Sequence, residues 1–474
     1  MPKFDSIIAR VVFGVVVFAV LAGAILTRPP KWLTHFDQSL YLTIAYDLNH
    51  HGVFSNGVFD DVDSTAGAPP PGMFFAPLYP SLIVVVSKLD PRFARAIDCS
   101  VEADHHVRDA AECEAYATPM HITHALLLTT AVLAIAFAAQ LIFADRRVFW
   151  LAGTLALAAL LPDADLFSFV MTESLTISLY SLVALALVAS VKRPRTGSFV
   201  LLGVLLGLLC LTRTSYVVLM PLMLGLIVFA GLWIARADRG AIARQALAFA
   251  LAWLVVLGPW VVRNGLSVGK WNLTEEYGSA SLIERFAFDD MTAREYALAF
   301  PYCLPAIGPP VVAWAFGSDA MRRFVYDMPE SFFHVGRLHR DKLVEAHGRL
   351  DPLIANVIRD ELRARGWRYL LVSLPLAWCG LWVGGVLGLI LVPLFASACI
   401  AAVRRSQPLF LVYAAPAVAM LGLHAALANH YTRYNLILIG PFSIGAAWMI
   451  TRVAFALTRS DSARAATPAL RRPS

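Results

Sequence analysis

Residues 122–144 read ITHALLLTTAVLAIAFAAQLIFA, residues 145–147 read DRR, and residues 148–161 read VFWLAGTLALAALL. A helix needs about 20 mostly apolar residues to cross the hydrocarbon core of a bilayer. The two runs are uncharged, and the three residues between them carry two arginines. This is the pattern of a transmembrane hairpin whose tight connection stays on the positive side of the membrane. Working outward in both directions, the same kind of run recurs at Val11–Thr27, Ser174–Val191, Gly197–Leu211, Thr214–Ala235, Ala246–Val262, Val386–Val403, Pro408–Ala428 and Asn435–Leu457. The expectation is an all-α polytopic membrane protein with about ten transmembrane helices. The first run has a small-residue stretch, Ala22-Gly23-Ala24, that fits a cleaved signal peptide, but its length favours an uncleaved anchor.

Composition agrees. Of 474 residues, 58% are hydrophobic and 15% charged, with a mean hydropathy of +0.66, whereas soluble domains carry about 25% charged residues. The net charge of +6 comes largely from short loops beside apolar runs, so membrane orientation explains it better than nucleic-acid binding. With the N-terminus inside, the inner loops hold Arg146 and Arg147, then Lys192, Arg193 and Arg195, then Arg236, Arg239 and Arg244, then Arg404 and Arg405, then an arginine-rich tail. The short outer loops hold at most one basic residue each. Both termini are then cytoplasmic, and in a bacterial cell the membrane is the inner one.

Two apolar stretches do not fit a simple count. Phe74–Leu89 is short and starts with Pro77 and Pro80; counted as a span it would put Arg146 and Arg147 outside, so it reads as an interfacial helix in the first outer loop. Tyr369–Val403 is too long for one span. Tyr369–Trp382 reads as interfacial and the remainder as the span; the alternative is two spans with a turn at Gly384-Gly385. The expected organisation is an N-terminal transmembrane module over 1–262 with outer loops at 28–121 and 162–172, a large outer helical loop over 263–368, and C-terminal transmembrane segments with a cytoplasmic tail over 369–474. Gly203 and Gly207, and the series Gly380, Gly384, Gly388, put small residues on single helix faces, a pattern for close helix packing.

Six cysteines are present, with neither a CxxC nor a His/Cys pattern of zinc spacing. Cys99 and Cys113 share the first outer loop, where they form a disulfide if the loop is periplasmic or remain two free thiols. His105 and His106 lie among acids in the same loop, either as a metal site or, the plainer reading, as a solvated acidic turn.

Chemistry concentrates at the outer edge. Asp37 precedes a helical pattern of Leu40, Tyr41, Ile44, Ala45 and Leu48, expected to lie on the membrane surface; Asp37 either caps that helix or reacts. The connection 162–174, PDADLFSFVMTES, carries Asp163, Asp165 and Glu173 at the bilayer edge, where carboxylates are costly unless wet or used. Arg213 and Arg433 fall at outer helix ends against the positive-inside trend. Guanidinium binds phosphate oxygens bidentately; snorkelling to headgroups is the bland alternative. His430 and Tyr434 flank Arg433.

These residues, taken in order, resemble the GT-C superfamily of membrane glycosyltransferases, with the nearest look to bacterial relatives of protein O-mannosyltransferases and of the lipid A aminoarabinose transferase. The elements are Asp37 with Tyr41, Ala45 and Gly52; Ala76-Pro-Leu-Tyr-Pro80; Thr172-Glu-Ser-Leu175; Pro259-Trp-Val-Val-Arg-Asn264; and His430-Tyr-Thr-Arg-Tyr434. The resemblance implies transfer of a hexose or pentose from a polyprenyl-phosphate carrier to a glycan, lipid or protein acceptor on the periplasmic face, usually with inversion. By the same analogy Asp37 is the general base, Glu173 the second outer-loop acid, and Arg433 the group holding the carrier phosphate, with Arg263 a weaker candidate. Asp163, Asp165, Arg213, His430 and Tyr434 complete the expected substrate site. Many relatives have two acids in a row at the first site; here Gln38 follows Asp37, which leaves a divalent metal open and no other cofactor implied. The competing reading is a transporter or flippase of lipid-linked sugars, for which inverted repeats and midplane charges are the marks; neither is seen.

Overall fold

The computed structural model describes residues 7–465 except 30, 35–36, 60–64, 106, 108, 276–277, 348–351 and 429–431. Every regular element among them is helical. Among the described residues, nine helical stretches are long and apolar enough to cross a membrane: Ile7–Leu26, Thr118–Phe143, Arg146–Phe167, Glu173–Lys192, Thr214–Ile234, Arg239–Ser267, Gly385–Arg404, Pro408–Leu427 and Thr432–Ala456. The chain is a multi-pass, all-α membrane protein. The remaining expected span is the helix Thr196–Cys210, whose 15 residues rise about 22 Å, short of a hydrocarbon core.

Burial sorts these helices into an interior and a lipid-facing shell. Glu173–Lys192 is 83% buried and Ile7–Leu26 only 11%, so the first is the axis of the bundle and the second a peripheral stave. Thr118–Phe143 packs against both, and Ile439–Ala465 against Arg146–Leu160 and Gly388–Arg404. Thr196–Cys210 lies against Arg239–Ser267 at a distance only glycine allows. A Cβ on Gly203 would meet the Phe249 carbonyl oxygen at 2.3 Å, and one on Gly207 the Val256 Cβ at 2.7 Å. The small-residue face is a backbone contact, as its spacing suggests.

The long 369–403 stretch is broken where it carries two glycines. Helix Trp367–Leu381 ends, Gly384 and Gly385 take φ of +77° and +58°, and Gly388–Arg404 begins anew. A left-handed backbone is open to glycine at little cost, so the Gly-Gly pair sets the corner.

The first outer segment folds into three helices, Gln38–His50, Leu78–Leu89 and Pro91–Asp104, packed on one another. One expectation is corrected here. Gln38–His50 is not a surface helix with one apolar face: Gln38, Leu40, Tyr41, Leu42, Thr43, Ile44, Ala45 and Asp47 are all buried, because the other two helices cover it. Asp47 is closed by the Ser55 hydroxyl. Cys99 and Cys113 form a disulfide with a Cα–Cα distance of 5.6 Å. His105 ends the Pro91–Asp104 helix, and its neighbour His106 lies outside the described residues.

The second outer segment is helical from Gly278, as expected of a helical loop. It is locked to the bundle by Arg285. That side chain is fully buried, pairs with Asp289 at 2.8 Å, and donates to the Ala425 and Tyr369 carbonyls at 3.1 Å each. A second disulfide, Cys303–Cys379, bridges 76 residues of chain and joins this segment to helix Trp367–Leu381. It was not foreseen, because Cys379 sits in an apolar run.

Candidate active site

The N-terminal end of Gln38–His50 brings Asp37 to the start of the last span. Asp37 occupies the N-cap position, yet its backbone is already helical (φ −62°, ψ −14°) and its side chain makes no capping bond. An N-cap needs an extended backbone so that the carboxylate can turn back on the N2 or N3 amide. The carboxylate instead accepts from Arg433 Nη2 at 2.9 Å and is 41% exposed. The capping alternative therefore has no geometric support, and Asp37 points outward with one oxygen engaged.

Gln38, the residue that breaks the two-acid pattern, is buried and structural. Its amide donates to the Trp32 carbonyl at 2.6 Å, and its oxygen accepts from the Val170 amide at 3.1 Å. It ties the first outer segment to the 162–172 connection, which positions Met171 beneath Arg433 at 3.9 Å.

Glu173 opens the central helix, only 4% exposed, with Arg213 Nη2 at 3.5 Å from Oε1. Its other oxygen, Oε2, is buried without a hydrogen-bond partner among the described residues. Burial works against the Arg213 charge, but the Glu173 carboxylate and the nearby tyrosines Tyr41, Tyr434 and Tyr216 outweigh it and keep its pKa above the ordinary arginine value. The ring of Tyr434 links the two pairs. Arg213 Cζ lies 5.1 Å and Arg433 Cζ 5.2 Å from its centroid, within cation–π range. Four charges from four segments, Asp37, Glu173, Arg213 and Arg433, thus converge on one tyrosine.

Beside this cluster is a cavity of about 440 Å³. Arg213, Thr214, Ser215, Thr274, His424 and Tyr434 line its polar side, and Val218, Leu273, Leu423 and Leu427 its apolar side. His424 Nδ1–H donates to the Asn435 carboxamide oxygen at 2.9 Å, which leaves the Nε2 lone pair as an acceptor. Deeper, His124 Nδ1–H donates to the Phe167 carbonyl at 2.9 Å, and its Nε2 accepts from the Tyr79 hydroxyl at 3.0 Å. Of these residues Tyr79 belongs to the Ala76–Pro80 motif, while His424, His124 and Asn435 did not stand out in the sequence. A histidine inside an apolar run reads as core, and Asn435 was overshadowed by Arg433.

Other expected residues are placed elsewhere. Asp165 pairs with Lys31 at 2.8 Å. Asp163 has a buried Oδ2 with no hydrogen bond among the described residues. Arg263 donates to the Phe54 carbonyl at 2.8 Å and also to the Gly72 carbonyl, and it stacks 4.9 Å from the Trp260 ring. It ties Phe54 to Gly72 through their carbonyls. His430 lies outside the described residues. No three His, Cys, Asp or Glu side chains among the described residues converge as a metal group, and the carboxylates of Asp37 and Glu173 each face an arginine.

No protein-family model matches the chain, and no curated protein matches it. Ten chains of solved structures are similar, among them two of one protein. A crystal structure of ArnT from Cupriavidus metallidurans bound to undecaprenyl phosphate shares 16% identity at a TM-score of 0.39, covering 93% of this chain and 78% of that one. The apo state of the same protein shares 15% at 0.37, covering 92% and 77%. The site's chemistry rests on this chain's own residues.

Proposed function

We propose that the chain is a GT-C-type glycosyltransferase that moves a sugar from a polyprenyl-phosphate carrier to an acceptor hydroxyl, at the membrane face where Asp37 and Arg433 meet. The observation that carries this reading is their ion pair, made at 2.9 Å by residues 396 positions apart. In the resting site Arg433 holds the Asp37 carboxylate. A carrier phosphate would compete for that guanidinium, since charge-assisted bonds to phosphate are among the strong ones. Asp37 is then released to take the acceptor proton. The acceptor oxygen attacks the anomeric carbon, the bond from that carbon to the phosphate oxygen breaks, and the carrier phosphate leaves on Arg433, with Arg213 behind Tyr434 adding fixed positive charge. Glu173 offsets Arg213 and positions it. The face is taken as periplasmic, following the basic inner loops.

The flippase alternative calls for charged groups at mid-membrane. Asp37, Glu173, Arg213 and Arg433 instead sit at helix ends, with Arg213 and Tyr434 lining the adjoining cavity, which favours transfer.

The test is a mass-spectrometric comparison of surface glycans, lipids and envelope proteins from cells with wild type, Asp37→Asn or no protein. A modification seen with wild type and reduced about 10²–10⁴-fold in the variant is expected for a lost general base. The same modification at wild-type level in Asp37→Asn removes the assignment of the base. No difference between wild type and no protein removes the transferase reading.

A further inference from the structure

At the opposite end of the bundle, arginines from three helices converge on one cleft of about 850 Å³. Arg147 comes from the start of Arg146–Leu160, Arg405 from the end of Gly388–Arg404, and Arg452 from the last span. Arg433 and Arg452 share one helical run, Thr432–Ala456, so about 28 Å separates this cleft from the Asp37 site. A second cleft of about 420 Å³ shares Arg405 and Arg452 and adds Arg404. Arg452 is held 5.4 Å from the Trp448 ring centroid, not free to swing away.

The cleft has one carboxylate, Asp145, and it is committed: it caps the helix by accepting from the Arg147 amide at 2.8 Å. Among the described residues, none of Arg147, Arg405 and Arg452 has a carboxylate in ion-pair reach. Three facing guanidiniums against the single Asp145 carboxylate leave the cleft with an excess of positive charge. Loop orientation explains which face of the membrane they occupy, but not their convergence from three helices. The apolar lining is exposed: Phe455 of the first cleft is 49% exposed, and Ile400 and Val453 of the adjoining second cleft are 56% and 55% exposed. These side chains continue the lipid-facing wall, so what enters the cleft does so from the bilayer edge.

We propose that this cleft is a binding site for an anionic phospholipid, with the headgroup phosphodiester held by Arg405, Arg452 and Arg147 and the acyl chains lying along Phe455, Ile400 and Val453. Basic pockets between transmembrane helices suit acidic headgroups, each arginine strengthening binding several-fold. The proposal is independent of the transferase reading.

The experiment is native mass spectrometry of the full chain in detergent, with equal phosphatidylglycerol and phosphatidylcholine. Wild type is expected to retain phosphatidylglycerol selectively. Arg405→Gln with Arg452→Gln is expected to lower that retention about thirtyfold. A control pair on the same face but outside the cleft, Arg193→Gln with Arg195→Gln, is expected to leave it unchanged. Equal loss in the control pair reduces the effect to general surface charge and overturns the site, as does wild-type retention in the cleft variant. Displacement of the lipid by inorganic phosphate alone reassigns the cleft to a free anion. Should the double variant lose its wild-type unfolding midpoint, the exposed Arg147→Gln serves in its place, with a several-fold loss expected and no loss overturning the proposal.

Discussion

At the scale of single residues, position in the sequence and role in the site separate cleanly. Asp37 sits where a cap belongs and does not cap, so Asp37→Asn is expected to leave the unfolding midpoint in detergent unchanged while transfer is lost. Its neighbour Gln38 is the reverse. Gln38→Ala strands the buried Val170 amide, costing about 1–3 kcal/mol when left unsatisfied, and removes the bond to the Trp32 carbonyl. A lowered midpoint is expected, and an unchanged one would show that the tie is not used. Arg433→Lys keeps the charge but loses the planar fork. The loss of one charge-assisted bond, about 1.5–3 kcal/mol, corresponds to about 10–100-fold weaker transfer, expected in kcat/KM for donor because Arg433 holds the phosphate both bound and leaving. Unchanged kcat/KM would remove Arg433 from the phosphate site. Of these three residues, Asp37 and Arg433 were legible in the sequence as polar groups out of place at helix ends. Gln38 was legible only as a departure from a motif; its buried role needed both partners in view.

At the scale of elements, close packing and cross-links carry the argument. Gly203→Val drives a branched side chain into the Phe249 carbonyl, where even a Cβ comes to 2.3 Å. Overpacking costs about 1–3 kcal/mol or more, so a lower unfolding midpoint is expected for Gly203→Val but not for Gly197→Ala, where the added Cβ meets nothing within 4 Å. The Cys303–Cys379 disulfide closes a long loop, a class of bond typically worth about 2–4 kcal/mol. Cys303→Ser with Cys379→Ser is expected to loosen the second outer segment, measured as faster proteolysis between residues 278 and 347. Unchanged cleavage would mean that buried Arg285 holds the segment alone. The Gly203/Gly207 contact was visible as spacing. The second disulfide was not, because sequence distance says nothing about which cysteines meet.

At the scale of the whole molecule, the two disulfides and the basic loops make a joint prediction about sidedness. Intact cells treated with a membrane-impermeant reductant and thiol reagent should label Cys99, Cys113, Cys303 and Cys379 after reduction, and leave Cys210 and Cys399 unlabelled. Labelling that needs permeabilised cells would place the Asp37 face inside. The sequence by itself determined that this is a helical membrane protein, where most of its spans run and which helix ends carry charge. Those properties are local, because twenty apolar residues in a row state their own solvent and must close their own backbone hydrogen bonds. Only the tertiary structure decided that Asp37 meets Arg433, that Glu173 faces Arg213 across from Tyr434, that Arg263 is committed to loop carbonyls, and that Arg147, Arg405 and Arg452 share a cleft. Each is a pairing between distant segments, fixed by how helices pack and not by any one helix's composition.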